Sequence, residues 1–322
     1  MNKKAISVWF YGVRGSIPAP NGTPSLQRKM KEVLHLATPK DIEDESSIEQ
    51  FMKSLPMHLS HNIGANTTCL LITFGDEHFI FDGGSGCVTM GRDWMPTPFG
   101  RGAGKAHWLF THTHLDHVIG MPMFTPLYIP GNQFDFYSPI PNLEQRLINL
   151  YDPEFFPVQF EQLASKRTFY NIIDKPEFSI GDVHITWIKN DHPGDAFSYR
   201  LTHGDTKIVF ATDAEYKYQD NDHFKKACNF FRDADLLIFD AQYAFTESVQ
   251  QKRDWGHSSS FMGIDFALEA NVKKLALFHH EPSHDDYRLM ETYRRAQTYL
   301  KKLAPNSTLD LIMSYEGLKL DF

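Results

Sequence analysis

An α/β fold is what this sequence predicts, and two patterns carry that prediction. Short β-like runs at residues 5–12, 68–74, 77–82, 107–111, 133–138, 183–189, 197–202 and 206–212 are interspersed with helical periodicity at 142–150, 221–232, 258–270 and 284–302. The residues with the most chemistry stand where an apolar strand gives way to a loop, the place where a rigid sheet can hold side chains toward a shared cleft.

In chain order, the stretch from Ala5 to Tyr11 is apolar apart from Ser7 and follows only Lys3 and Lys4. It reads as a first strand rather than a signal peptide. Residues 24–61 then carry two amphipathic helical stretches separated by Thr38-Pro39, with Ser47 or Asp41 as the expected cap of the second. After the strand Phe79-Ile80-Phe81 comes Asp82-Gly83-Gly84-Ser85-Gly86, a loop flexible enough to bring backbone close to a site. Further on, Met121-Pro122-Met123-Phe124-Thr125-Pro126-Leu127-Tyr128 is expected to wall a substrate pocket, with a core role as its competitor.

Residues 111–117 read Thr-His-Thr-His-Leu-Asp-His, straight after Trp108-Leu109-Phe110. At an extended strand end, His112 and His114 point to the same side, so two neutral imidazoles can reach one divalent ion. Asp116 and His117 follow a turn at Leu115 and do not easily crowd onto that ion. Two adjacent ions are the more natural reading. A loop of surface histidines would need no partners downstream, yet partners occur at three further strand ends: His192 after residues 183–188, Asp213 closing 207–213 and His279 closing 274–279.

With these residues in place the chain resembles the metallo-β-lactamase-fold hydrolases, and within them the phosphodiesterase branch that includes RNase Z and the cyclic phosphodiesterases. The resemblance runs through residues 11–18 (Tyr-Gly-Val-Arg-Gly-Ser-Ile-Pro), 64–69, 81–86, 240–243, 255–259 and 277–282. It implies a single domain over residues 1–322, built as a four-layer αββα sandwich, with the helical pair at 24–61 inserted where relatives have a short connection. It also implies a ligand set: His112, His114 and His192 on one divalent ion, Asp116, His117 and His279 on the other, and Asp213 shared between them. Zinc is the first expectation for both ions, and manganese or iron suits the same donors. Cys69, Cys87 and Cys228 fall in no ligand segment, unlike the cysteine often used by the antibiotic-hydrolysing members. His114 separates the chain from the flavo-diiron pattern H-x-E-x-D-H.

The same resemblance makes His257 a catalytic group that is not a ligand, oriented by Asp240 at the end of the strand 235–240, while Asp116 acts within the reacting centre and Asp82 supports the metal loop from below. Ser258 and Ser259 also suit a helix cap, the plainer reading of that turn. The implied activity is hydrolysis of a phosphodiester by water activated at the ions, with His257 protonating the leaving oxygen. A small cyclic phosphodiester, a cyclic nucleotide or a phosphoribosyl cyclic phosphate, is the leading substrate class. RNase Z-like cleavage of RNA is the alternative, but the long basic glycine-rich arm of those enzymes has no counterpart here. A metal-binding sensor of the same fold is a further alternative, and it would need neither Asp240 nor His257.

Composition fits an enzyme of this kind. The 322 residues are 42% hydrophobic and 14% aromatic, enough for a large core. A formal charge of −8 argues against extended nucleic acid as a partner. No apolar run is long enough to span a membrane. Three scattered cysteines offer no disulfide framework, so a cytoplasmic location is expected. The helical pair at 24–61 suits a lid or the contact surface of a homodimer. His280 and His284, beside His279, either touch substrate or belong to a polar loop.

Overall fold

Alternation along the strands decides the layers. The computed structural model describes residues 5–216, 221–243 and 255–322, so Lys3 and Lys4 lie outside it. Its first six strands are β1 (Ile6–Gly12), β2 (Cys69–Phe74), β3 (Glu77–Phe81), β4 (Lys105–Leu109), β5 (Gln133–Ser138) and β6 (Lys166–Asn171). The next five are β7 (Glu177–Ile180), β8 (Val183–Lys189), β9 (Phe197–His203), β10 (Thr206–Ala211) and β11 (Leu236–Asp240); β12 (Lys274–Phe278), β13 (Asp310–Met313) and β14 (Lys319–Asp321) complete the set. They form two seven-stranded sheets, in the orders β14-β1-β2-β3-β4-β5-β6 and β13-β12-β11-β10-β9-β8-β7.

Successive residues of a strand face opposite sides, and here both sides are apolar. On the first sheet Val8, Phe10, Leu70, Ile72, Phe79 and Phe81 point to the inner core, where they meet Tyr199, Leu201, Ile208, Phe210, Ile238 and Phe278 of the second. Their immediate neighbours Leu71 and Ile80 on the first sheet, and Val209, Leu237 and Leu277 on the second, point outward to helices. Two sheets each buried on both faces require helices outside both, and the αββα sandwich follows. Phe81 joins the halves: its ring lies 5.7 Å from Tyr199 and 5.3 Å from Phe210, centroid to centroid. Because Phe81 is next to Asp82, the packing that closes the sandwich also fixes the floor of the metal loop.

The N-terminal helical segment holds α1 (Thr23–Leu36), α2 (Glu45–Ser54) and the single turn α3 (Met57–Ser60). The cap of α2 is neither Ser47 nor Asp41 but Asp44, which accepts from the Ser47 backbone N–H at 2.7 Å. Asp41 is committed elsewhere: with Pro39 starting a short 3-10 turn, its carboxylate accepts from the N–H and hydroxyl of Thr38 at 2.8 and 2.7 Å. Lys29, on α1, is buried and bonds to Asp286 and to the His61 carbonyl.

Helices α4 (Gly86–Trp94) and α5 (Leu143–Ile148) cover the first sheet, and α6 (Asn221–Phe231), α7 (Ser260–Glu269) and α8 (Asp286–Leu303) cover the second. Ser259 caps α7 and Asp285 caps α8. Met121, Phe124 and Leu127, expected to wall a pocket, are fully buried against α4 and the outer face of the first sheet. Their three-residue spacing puts them on one side of consecutive 3-10 turns, and that side faces the core.

Within the first sheet β3, β4 and β5 run parallel, and within the second β10, β11 and β12 do. Two successive antiparallel pairings, β8 with β9 and β9 with β10, turn β8 the same way as β10. The carboxyl ends of β3, β4, β8, β10, β11 and β12 thus deliver their following loops to one edge of the sandwich. Among the described residues, no helix is long and apolar enough to cross a membrane.

Candidate metal centre

Each of those six strand ends is followed by a residue with ligand or acid chemistry. Three of them turn in a way that side chains usually avoid: Asp82, Asp213 and His279 have φ of 56°, 54° and 60°. A left-handed residue within two positions of a strand end breaks the strand's alternation and redirects its side chain into the cleft. Such backbone costs about 1–3 kcal/mol per site and clusters where function needs it.

Four donors converge on one point. His117 Nε2 and His279 Nε2 lie 3.3 Å apart, and each is close to Asp116 Oδ2, at 3.3 and 3.2 Å. The same two nitrogens lie 3.3 and 3.4 Å from Asp213 Oδ2. Donors bound tetrahedrally at about 2.0–2.1 Å from an ion sit about 3.3–3.4 Å from one another. Five edges of this group have that length. The outer nitrogens are engaged in hydrogen bonds that hold the rings: His117 Nδ1 with Asp82 Oδ2 at 2.8 Å and His279 Nδ1 with Gln242 Oε1 at 3.0 Å. Two inward-facing imidazole nitrogens this close repel unless a cation or a proton lies between them.

His112, His114 and His192 form a second group, with one nitrogen of each lying within 4.8 Å of the others. His192 Nε2 is 3.2 Å from His114 Nδ1. Asp213 Oδ1 stands 3.7 Å from His112 Nε2 and 3.8 Å from His192 Nε2, so the two oxygens of Asp213 face the two groups separately. His192 Nδ1 donates to the Gly256 carbonyl at 2.9 Å. His112 Nε2 is buried without a hydrogen-bond partner, an orphaned polar atom aimed into the cleft. An unmatched buried lone pair is expensive, and a metal ion is the partner this donor set fits.

The charge states of the two groups differ. Burial holds His112, His114 and His192 below the ordinary imidazole range, so all three are neutral donors. Burial also opposes charge on His117 and His279, but the carboxylates of Asp213 and Asp116 outweigh it. His117 is pushed well up, and His279 rises to about 9. Asp116 and Asp213 are held far below the carboxylate range because the facing imidazoles overcome the cost of burial. The carboxylates that favour positive charge on His117 and His279 would equally favour a divalent ion in the place of their protons.

His257 stands beside both groups. Its Nδ1 is 2.8 Å from Asp240 Oδ2, and its ring centroid is 5.2 Å from that of His192 and 5.0 Å from that of His279. Asp240 is fully buried and accepts in addition from the backbone N–H groups of Asp213 and Gln242, at 3.0 and 3.1 Å. With Nδ1 taken by Asp240, Nε2 is the nitrogen available to the open cleft that His257 lines. His257 could also complete a trio with His192 and Asp213, but its commitment to Asp240 is the shorter contact.

All seven expected ligands and the His257–Asp240 pair therefore share one cleft. His280 does not belong to it: its ring is buried and bonds the Ser314 carbonyl at 2.9 Å. His284 lends its carbonyl to Arg14 at 2.8 Å. Residues that sequence reasoning passed over also shape the site. Thr111 donates to Asp82 through both its N–H and its hydroxyl, at 2.8 and 2.7 Å, and Ser16 N–H donates to Asp116 at 2.7 Å. Gln242 holds His279, as above. Thr111 was legible as the first residue of the motif, and Ser16 and Gln242 lie in the segments 11–18 and 240–243 that carry the resemblance, which assigns them no contact. Gly15 is required by contact, because a Cβ there would meet the His279 ring.

Comparison with known proteins adds the following. Residues 95–280 match the family model described as a beta-lactamase superfamily domain. A ribonuclease Z of Sulfurisphaera tokodaii is 26% identical over 208 residues, covering 55% of this chain and 70% of the relative. The probable metallo-hydrolase YhfI of Bacillus subtilis is 26% identical over 227 residues, covering 69% of this chain and 84% of that protein. The crystal structure of YhfI superposes with a TM-score of 0.64 at 17% identity, over 99% of this chain and 100% of that one.

Proposed function

From the premise that the chain belongs to the beta-lactamase superfamily, we propose that it is a two-metal hydrolase that cleaves a phosphodiester, most suitably a small cyclic one. His112, His114 and His192 would hold one divalent ion, Asp116, His117 and His279 the other, and Asp213 both. When bound, ions at these positions would activate water and neutralise charge developing on phosphate oxygens. Two divalent ions carry twice the charge of the two carboxylates that would hold them, a local source of positive charge in a chain whose own charge is −8. An anionic phosphodiester is the kind of substrate such a cleft attracts.

The observation that carries this reading is the His257–Asp240 contact at 2.8 Å. A metal-storage or sensing site needs the cage alone. Asp240 fixes the tautomer of His257 and raises its basicity, so that Nε2 can carry a proton to a leaving alkoxide. Thioester cleavage, which expels a stable thiolate, has less use for that proton.

Hydrolysis assays with the metal-loaded protein test both parts. A panel of cyclic nucleotides and phosphoribosyl cyclic phosphates should include a substrate. Replacing His257 by Ala should slow cleavage of a ribose ester about 10²- to 10⁴-fold, and slow bis(p-nitrophenyl) phosphate far less, because nitrophenolate leaves without being protonated. Equal losses on both would remove the acid role of His257, and absence of turnover on every diester would remove the hydrolase reading. The similarity to a ribonuclease Z supports a second reading, RNA cleavage. Preference for a precursor transfer RNA over all small diesters in the same assay would favour it.

A further inference from the structure

Beside His257 a cleft of about 560 Å³ opens to solvent. Ile17, Trp255 and Pro282 give it apolar walls, and Ser16, Gln242 and Glu281 line it with polar groups. Neither ion binding nor proton transfer explains two features of it. Trp255 is 59% exposed and Ile17 61%, so the cleft presents large apolar surface right beside a charged centre. Glu281 is buried, and its carboxylate is held in place by Ser283, through the hydroxyl at 2.8 Å and the N–H at 3.3 Å, and by the Gln242 side chain at 3.3 Å. Gln242 also binds Ser16 at 3.2 Å and His279 at 3.0 Å, which fixes the cleft lining to the metal centre.

These two features select for opposite things. An indole face beside a phosphodiester site is a stacking platform for a planar ring. A carboxylate in the same cleft accepts hydrogen bonds from hydroxyl or amine donors and repels a second phosphate. The volume lies in the range of small-molecule sites. Building on the phosphodiesterase reading, we propose that this cleft is a nucleoside subsite. It takes the sugar and base of a nucleoside cyclic phosphate, with the base on Trp255 and a donor group on Glu281. It discriminates against base-free ribosyl cyclic phosphates and against substrates that carry another phosphate beside the ribose, polynucleotides included.

Two measurements on the metal-loaded protein test the proposal independently. The first is calorimetric binding of adenosine 3′-monophosphate, a product of opening the 2′,3′-cyclic substrate used in the second. Trp255→Ala should weaken it about tenfold or more, the scale of a lost base–aromatic contact, and Trp255→Phe should keep most of it. The second compares kcat/KM for adenosine 2′,3′-cyclic phosphate and for the methyl riboside 2′,3′-cyclic phosphate. The base should raise it about tenfold or more. Trp255→Ala should erase that advantage, and Glu281→Gln should improve turnover of the 5′-phosphorylated form of the adenosine substrate.

Nucleotide binding that Trp255→Ala leaves unchanged, or equal turnover with and without the base, overturns the nucleoside subsite even if bis(p-nitrophenyl) phosphate is hydrolysed. Trp255-dependent nucleotide binding with no diester hydrolysed retains the subsite and overturns the hydrolase reading alone.

Discussion

Asp82 touches no candidate ion position, yet its replacement should change metal binding at one position and not at the other. Its carboxylate is fully buried and accepts three hydrogen bonds, from the Thr111 N–H at 2.8 Å, the Thr111 hydroxyl at 2.7 Å and His117 Nδ1 at 2.8 Å. Asp82→Asn preserves shape, and Asn tolerates the φ of 56° found there. The amide can still accept from Thr111 N–H, but its NH₂ then faces His117 Nδ1. That contact favours the tautomer with the proton on Nε2, where the ion would sit. Loss of such an outer partner weakens metal affinity about 10- to 100-fold, equivalent to about 1.4–2.7 kcal/mol. Calorimetric titration of the stripped protein with zinc should show this loss in the equivalent that uses His117. The equivalent bound by His112, His114 and His192 should weaken much less, because none of those imidazoles bonds to Asp82 directly. Equal weakening of both, or of neither, would refute the role assigned to Asp82.

Other outcomes follow from the same contacts. Lys29→Met removes the nearest cation from Asp286, a carboxylate with 0% side-chain exposure that also accepts from the Asn21 amide at 3.2 Å and the Ile63 N–H at 3.4 Å. The retained Arg14 is at 3.7 Å. With those partners kept, the loss is that of one hydrogen bond to a charged group, about 1.5–3 kcal/mol, so urea unfolding should shift below wild type, and an unchanged midpoint would contradict the burial. His280 is held neutral by burial, its pKa pulled down to about 3 despite the bond to Ser314. The unfolded chain protonates this residue near pH 6.5 while the native state does not until about pH 3. Stability is therefore lost as pH falls through that window, by about 1.4 kcal/mol per unit, or about 2 kcal/mol by pH 5. In the stripped protein, His280→Gln should show a smaller drop between pH 7 and pH 5 by that amount, and an identical drop would contradict it. Gly15→Ala should weaken binding at the His117–His279 position, because the added methyl displaces the His279 ring; unaltered affinity there would show that the ring can yield.

The parts of this structure that could be read from the sequence are those encoded locally. Four ligand-type side chains within residues 112–117 announce themselves without any knowledge of packing. His192, Asp213 and His279 were legible because each closes an apolar strand. The edges of the sheets were not: Lys166–Asn171 is half exposed and mixes polar with aromatic residues, and Lys319–Asp321 is only three residues long. Its pairing with residues 7–9 is decided by partners three hundred positions away, for which the local pattern has no signal. The outer hydrogen bonds of the imidazoles were hidden for the same reason. Gln242 reaches His279, and Gly256 reaches His192, only once β11, β12 and the turn before α7 are packed together. The apolar run from Met121 to Tyr128 was ambiguous because pocket walls and cores draw on the same residues, and only its 3-10 geometry puts Met121, Phe124 and Leu127 inside.

Whether Asp213 joins two ion positions into one working centre can be decided by adding zinc or manganese stepwise to the stripped protein while following hydrolysis of bis(p-nitrophenyl) phosphate. Elemental analysis should find two ions per chain at saturation. Hydrolysis should stay near background through the first equivalent and rise with the second. In His279→Ala, one ion should remain and hydrolysis should not appear. Full activity with a single ion bound, or saturation at one ion in the unaltered protein, would contradict a two-metal centre.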